Sequence, residues 1–116
     1  MSSREAIQDK PAPGSLCPRF HRAVELIGRR WTGAILRTLM GGPRRFNELL
    51  AAIPGISDRL LTERLRELET EEILAREVQA GSPVRVSYRL TQRGSELEPV
   101  MRELGAWAER WIGAAP

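Results

Sequence analysis

Residues 44–68 read RRFNELLAAIPGISDRLLTERLREL and contain two short helical patterns that meet at Pro54 and Gly55. Proline disfavours helical geometry in the residue before it and glycine tolerates a tight turn, so the chain should break between the two patterns. Ser57 is a good N-cap residue and should start the second helix. The stretch therefore predicts a helix-turn-helix, whose buried faces carry apolar residues at helical spacing: Phe46, Leu49, Leu50 and Ile53, then Leu61, Leu65 and Leu68.

The side of the second helix opposite these leucines is polar, which indicates DNA as the partner. A B-DNA major groove about 12 Å wide accepts one helix, and the first half of that helix reaches the base edges. Arg59 could form a bidentate contact with guanine, while Glu63 could accept from a cytosine amino group or hold Arg59 or Arg66 in place. We expect base contacts from Ser57, Arg59, Thr62, Glu63 and Arg66.

Other positions are expected to contact the DNA backbone or only solvent. Arg44 and Arg45 lie at the start of the first motif helix, where a charge on phosphate sets register without reading sequence. Ser82 and Arg85 flank a turn and suit a wing that follows the backbone or enters the minor groove. Ser57 has capping as an alternative role, and Arg64 is expected only to be solvated, since it lies nearer the buried side of the helix.

The remaining patterns predict a mainly α fold of the α+β class, a winged helix-turn-helix with added N- and C-terminal dimerisation helices. Helical spacing begins at Pro18 and again at Trp31, and two short runs rich in valine, isoleucine and tyrosine, 73–79 and 84–90, form the hairpin. A last helix is expected from Thr91, kinked at Pro99. Residues 1–15 are expected to be a disordered arm and 16–116 a single domain.

Composition narrows the function classes. The chain has 116 residues and a net charge of +3, and 17 of its 18 basic residues are arginine. A basic surface favours polyanions. Apolar runs are far too short to span a bilayer, so a cytoplasmic protein without a membrane partner is expected. One cysteine and one histidine make a metal site improbable, and nothing indicates a cofactor or catalysis.

The last helix is too apolar for a lone surface helix, which indicates a homodimer. The expected interface consists of Phe20 with Val100, Met101, Leu104, Trp107 and Trp111. The alternative is that this surface packs inside one domain. A small-molecule effector could bind between the first and last helices near Trp31, Trp107 or Trp111, although aromatic residues are more often packing than pocket.

Five segments resemble, in order and spacing, the HxlR-type winged-helix regulators, a family related in fold to the MarR group. They begin at Cys17-Pro18, Glu25, Arg45, Ile53 and Thr62, and continue through Tyr88-Arg-Leu-Thr-Gln-Arg-Gly94 to Pro99. The resemblance implies bacterial homodimeric transcription factors that bind inverted-repeat operators. This chain has Glu71-Glu72 where the family usually has Asp-Gly, so either the second motif helix runs on past this point or Glu72 carries backbone strain. It also has Ser87 where the family commonly has Glu.

Cys17 precedes Pro18 at a helix start, where the helix dipole favours anions, and a thiolate reacts with electrophiles and oxidants. The resemblance implies redox or electrophile sensing, because several relatives use a cysteine at this position. The alternative is a small buried hydrophobe. His21, four residues on, is the basis of an enzyme hypothesis with a histidine-activated thiol, which lacks any oxyanion-stabilising loop or phosphate-binding glycine pattern.

The hypothesis is a homodimeric, sequence-specific DNA-binding repressor. The rival is a winged helix that docks a protein without binding DNA, since a fold does not fix a function. A protein-docking version would be expected to expose apolar residues on the second motif helix, where this chain has Arg59, Thr62 and Arg66.

Overall fold

The structure is a computed structural model that describes residues 17–113, so the arm predicted for residues 1–15 lies outside the described part. The described residues fall into two compact units, divided between Arg30 and Trp31. In the first unit, α1 spans Pro18–Ile27. Proline suits this first turn because its missing N–H would have no helical partner there. The predicted helix start at Pro18 is confirmed.

The described part of the second unit is a winged helix made of five helices and three short strands. The three-stranded sheet has the order β1-β3-β2 and is antiparallel throughout. The predicted hairpin is confirmed, whereas β1 was not predicted, because two residues are too few to show strand alternation. The elements are α2 (Thr32–Met40), β1 (Arg44–Arg45), α3 (Phe46–Ala52), α4 (Asp58–Thr70), β2 (Leu74–Gln79), β3 (Arg85–Leu90), α5 (Gln92–Ser95) and α6 (Glu98–Trp111).

The core of this unit lies where α2, α3 and α4 meet the base of the hairpin. The predicted apolar faces supply it, and each helix contributes residues at helical spacing. Phe46 and Leu50, predicted for the same face, are only half-buried. The buried apolar residues are Ile35, Leu36, Leu39, Leu49, Ile53, Ile56, Leu61, Leu65, Leu68, Ile73, Leu74 and Met101.

The C-terminal segment differs from the prediction of one helix kinked at Pro99. The structure has a short helix, α5, and a separate helix, α6, with Pro99 in the first turn of α6. Proline is tolerated there because its ring meets no preceding helical carbonyl. Thr91 caps α5 by accepting the Gly94 N–H at 3.1 Å, as its position at the predicted helix start indicated.

A tight junction connects the end of α4 to the hairpin and to α5. Glu72 has a φ of 62°, so the strain predicted at this position is present. The hydroxyl of Thr91 lies 2.7 Å from the Glu72 carbonyl oxygen and 3.1 Å from that of Ile73, which also accepts the Thr91 N–H at 3.0 Å. These bonds fix where the wing leaves the second motif helix.

Candidate nucleic-acid interface

The turn of the helix-turn-helix positions the start of α4. Gly55 has a φ of 96°, and a Cβ at this position would lie 3.2 Å from the ring of Trp31. Glycine is therefore needed both for the backbone angle and for the close approach of the indole. Ser57 then caps α4, its hydroxyl accepting the Leu60 N–H at 3.1 Å. The capping role considered for Ser57 is present in the structure.

The predicted reading residues share one side of α4, opposite the buried leucines. The Arg59 side chain is 88% exposed, and Ser57 and Arg66 are also exposed. Thr62 and Glu63 are half-buried on the same side. The helix therefore presents hydrogen-bonding groups from its first turn to its third, which is the geometry that a major-groove helix requires.

Arg64 is not solvated as we expected, since it is 7% exposed. Its Nη1 lies 3.2 Å from Oε2 of Glu67 and 3.7 Å from Oε1 of Glu63. A position on the flank of a helix lets the aliphatic stem pack against the core while the guanidinium stays beside carboxylates of the same helix. The sequence pattern did not reveal this role, because an arginine beside the apolar stripe looks like any surface charge.

Glu63 contacts a second arginine. Its Oε2 lies 3.5 Å from Nε of Arg59, four residues earlier on the helix. This contact agrees with the holding role that we considered for Glu63, with Arg59 rather than Arg66 as the partner. Glu63 therefore links an exposed arginine to a buried one.

The two arginines of β1 have different surroundings. Arg45 is exposed, and its backbone N–H donates to Oε1 of Glu48 at 2.7 Å, which orients the first turn of α3. Arg44 is half-buried, and its Nη1 donates to the carbonyl oxygens of Gly42 and Pro43 at 3.1 and 3.0 Å. Arg44 therefore folds over the preceding turn, and only Arg45 extends where a phosphate can reach it freely.

The wing is the β2–β3 hairpin with its connecting residues 80–84. Ser82 and Arg85 are both exposed near its tip, as a DNA-contacting role requires. At its base, Nε of Arg89 donates to Oε2 of Glu77 at 2.6 Å across the two strands. Glu77 lies directly opposite Ser87 in the register of the two strands.

The face of α6 that points away from the core is apolar. Its four large side chains, spaced four, three and four residues apart, are between 46% and 69% exposed. Met101 is 7% exposed and its methyl lies 3.6 Å from a Cβ built on Gly33, so it belongs to the core and our assignment of Met101 to a dimer interface is wrong. We call the remaining stripe the α6 stripe: Val100, Leu104, Trp107 and Trp111.

In the first unit, α1 buries none of its residues. Phe20 is 65% and Val24 is 46% exposed, one turn apart on the same side. Cys17 is the N-cap, half-buried, and its carbonyl accepts the His21 N–H at 2.9 Å. Nε2 of His21 lies 3.3 Å from Oε2 of Glu25, one turn further along the helix.

Small-ligand and metal sites have little support within residues 17–113. In that range no group of three or more histidine, cysteine, aspartate or glutamate residues is placed to hold a metal ion, and no helix is long and apolar enough to cross a bilayer. A cavity of about 540 Å³ lies between α2 and α6, with Arg37, Met40, Arg102 and Glu109 among its lining residues. None of the described residues that line it is a tryptophan, so it is not the effector site predicted near Trp31, Trp107 or Trp111.

Comparison with known proteins places this geometry in a family. The family model described as HxlR-like helix-turn-helix matches residues 26–116. The chain is 44% identical over 97 residues to the uncharacterized HTH-type transcriptional regulator YvaP of Bacillus subtilis, covering 84% of this chain and 90% of YvaP. It is 45% identical over 97 residues to the HTH-type transcriptional regulator YodB of the same organism, covering 84% and 87%.

Solved structures agree with the sequence comparison. The reduced form of YodB from B. subtilis has a TM-score of 0.78 at 43% identity, covering 88% of this chain and all of that one. The diamide-treated form of YodB has a TM-score of 0.73 at 44% identity, covering 85% and 98%. The redox regulator HypR in its reduced form has a TM-score of 0.76 at 37% identity, covering 79% and 91%.

The fold, the polar face of α4 and the comparisons lead to one conclusion. The winged helix-turn-helix predicted from residues 44–68 is present, and the matched proteins are transcriptional regulators rather than enzymes. The chain belongs to the HxlR-like helix-turn-helix family of DNA-binding transcriptional regulators.

Proposed function

We propose that the protein is a homodimeric repressor that binds an inverted-repeat operator. The observation that carries the proposal is the polar outer side of α4, where Arg59 is 88% exposed beside the helix N-terminus. Two such helices about 34 Å apart would enter successive major grooves on one side of the duplex. Occupation of a promoter in this manner blocks transcription without any catalytic group.

Within each half-site, the residues divide by what they contact. Arg59, Thr62 and Arg66 extend from α4 and read base edges, with Ser57 at the helix start able to add a phosphate contact. Arg45 beside α3 and Ser82 and Arg85 on the wing contact the sugar-phosphate backbone. All of these residues except the half-buried Thr62 are exposed, which supports their contacting DNA.

A second copy of the chain covers the exposed apolar surfaces. Monomeric proteins rarely leave a contiguous apolar stripe on a helix exposed to water, and the α6 stripe has two tryptophans in it. In a two-fold dimer, the α6 stripe of each subunit would be buried against the partner. Phe20 and Val24 on α1 form a second such surface, which we assign to the same assembly.

Cys17 is the proposed sensor of electrophiles and oxidants. One observation in support is that Cys17 is half-buried and is the N-cap residue of α1. A second is the similarity to YodB, whose solved structures include diamide-treated and quinone-bound forms. Oxidation by diamide would join Cys17 of two subunits in a disulfide, with two thiols oxidised and the diamide reduced to its hydrazine. A change of subunit spacing would then weaken operator binding.

The sensing role is tested with purified Cys17→Ser protein beside the unaltered chain. Diamide or a quinone is expected to weaken operator binding of the unaltered protein and to leave the variant unaffected. An operator affinity that stays the same after verified modification of Cys17 would remove the sensing role, while DNA binding itself would stand.

The DNA-binding role is tested by selecting duplexes from a randomised pool and measuring affinity for the selected site and for random DNA. Arg59→Ala is expected to weaken the selected site far more than random DNA, because a base contact is lost. Arg45→Ala should weaken both and reduce the salt slope by about one phosphate contact. Equal losses in the two variants would refute this division of roles, and failure to select any duplex would favour the protein-docking alternative.

A further inference from the structure

A chain of three ion-paired side chains runs along α4 from the core to the reading face. Arg64 is buried, Glu63 is half-buried and Arg59 is 88% exposed. Glu63 uses a different oxygen for each arginine, Oε1 at 3.7 Å from Arg64 and Oε2 at 3.5 Å from Arg59. We call these three residues the α4 relay.

We propose that the α4 relay sets DNA specificity, with Arg64 and Glu63 positioning Arg59 for guanine without themselves reading a base. The inference rests on the proposed function, because it needs α4 to enter a major groove. It assigns to Glu63 a role different from direct contact with cytosine, and it gives Arg64 a role in a surface that it does not reach.

The buried end of the relay is rigid for a physical reason. An arginine stays charged at any working pH, so a guanidinium that is largely removed from water must keep its carboxylate partners. Nη1 of Arg64 donates to Glu67 at 3.2 Å and lies 3.7 Å from Glu63, so one guanidinium nitrogen faces both carboxylates. The buried guanidinium of Arg64 therefore holds the Glu63 carboxylate in place.

The exposed end of the relay gains orientation from this anchor. Glu63 contacts Arg59 at Nε, the nitrogen nearest the aliphatic stem, and this contact uses neither of the two terminal nitrogens. Those two nitrogens are the pair that binds O6 and N7 of guanine. Immobilising a long side chain on binding lowers affinity about two- to tenfold, and the relay performs part of that ordering before DNA arrives.

The relay also accounts for an acidic residue on a surface that faces phosphates. An isolated glutamate there would repel the duplex, whereas Glu63 lies between two guanidinium groups. The two guanidinium groups offset the charge of Glu63, and the role of Glu63 is to orient Arg59. A mobile arginine at position 59 would be attracted to the nearest phosphates instead, which carry no sequence information.

The test uses the full-length protein and a randomised double-stranded DNA pool. Selection with the unaltered protein defines the preferred site, and Arg59→Ala identifies the base pair at which discrimination is lost. Glu63→Gln, which keeps the shape but removes the charge and one of the two acceptor oxygens, and Arg64→Met, which keeps an apolar stem, are then measured at every position. Glu69→Gln is the control, since it removes the same charge from an exposed position later in α4.

Arg59→Ala is expected to reduce discrimination at one base pair of each half-site by about 5- to 150-fold. Glu63→Gln and Arg64→Met should each reduce it about two- to tenfold at that same base pair, and the double variant should lose no more than either single variant. Arg64→Lys should recover part of the loss. Glu69→Gln should leave discrimination unchanged at every position.

Full discrimination in Glu63→Gln, or a loss spread evenly over the site, would overturn the relay. Because Glu63 is on the surface, this variant should fold even if Arg64→Met does not, which a circular dichroism melt would establish. A pool in which the unaltered protein selects nothing, or in which Arg59→Ala changes no position, would instead contradict the proposed function on which the relay depends.

Discussion

Replacing Gly94 with alanine should break the junction that holds the wing against α4. A Cβ at position 94 would overlap the carbonyl oxygen of Ile73 and lie 3.1 Å from both the carbonyl carbon and Cγ2 of Ile73. The obstacle is backbone, so no side-chain rotation can relieve it. Either the start of α5 or the end of the α4–β2 connection must move.

The magnitude follows from the contacts at that carbonyl. Overpacking a tight site costs about 1–3 kcal/mol. The same oxygen accepts from the Thr91 N–H and hydroxyl at 3.0 and 3.1 Å, and weakening these two bonds adds about 0.5–1.5 kcal/mol each. Alanine recovers about 1 kcal/mol over glycine in a helix. The free energy of unfolding should therefore fall by about 1–5 kcal/mol, and each kcal/mol lowers Tm by about 4–8 °C for a domain of this size.

Thermal unfolding followed by circular dichroism measures this loss, with Gly33→Ala as the matched control. Gly33 also lies in a helix, but a Cβ there meets only the Met101 methyl at an ordinary 3.6 Å. The control should be neutral or up to about 1 kcal/mol more stable. Equal Tm values for the two variants would refute the argument that the Gly94–Ile73 contact fixes the wing.

Two further predictions concern strain and assembly. Glu72→Gly should raise Tm by about 2–8 °C, because it removes a left-handed glutamate at φ 62° and loses only an exposed ion pair to Arg93. Glu71→Gly, at a φ of −82°, should lower Tm in the same melt, and a higher Tm for Glu71→Gly than for Glu72→Gly would contradict the strain. Leu104→Asp should raise the dimer Kd more than 100-fold in sedimentation equilibrium, because two side chains worth about 1.5–3 kcal/mol each leave a two-fold interface. Glu103→Ala, at an exposed polar position of α6, is its control, and an unchanged Kd in Leu104→Asp would place the dimer contact elsewhere.

The parts of the fold that follow from local signals could be predicted from the sequence. The break at Pro54-Gly55, the Ser57 cap and the leucine spacing of α4 each act within a few residues, and the structure has all three. The strain at Glu72 was also predictable, since a position that suits glycine is occupied by a residue with a Cβ.

The features that were missed depend on packing between distant segments. Strand β1 exists because Arg44 and Arg45 pair with Tyr88 and Ser87, which no two-residue pattern can indicate. Helical spacing alone groups Met101 with the exposed apolar residues of α6. Its burial depends on how α6 packs against α2, which the sequence pattern does not give. Arg64 is the exception, because its carboxylate partners Glu63 and Glu67 lie within three residues of it on α4.

The most direct test of the account is dimethyl sulfate protection of guanine N7, a major-groove atom, on the selected operator. We expect two protected segments about one helical turn apart, related by the symmetry of the site, with one guanine in each losing its protection in Arg59→Ala. Protection of a single segment, or unchanged N7 reactivity across a duplex that the protein binds tightly, would contradict a pair of α4 helices in successive major grooves.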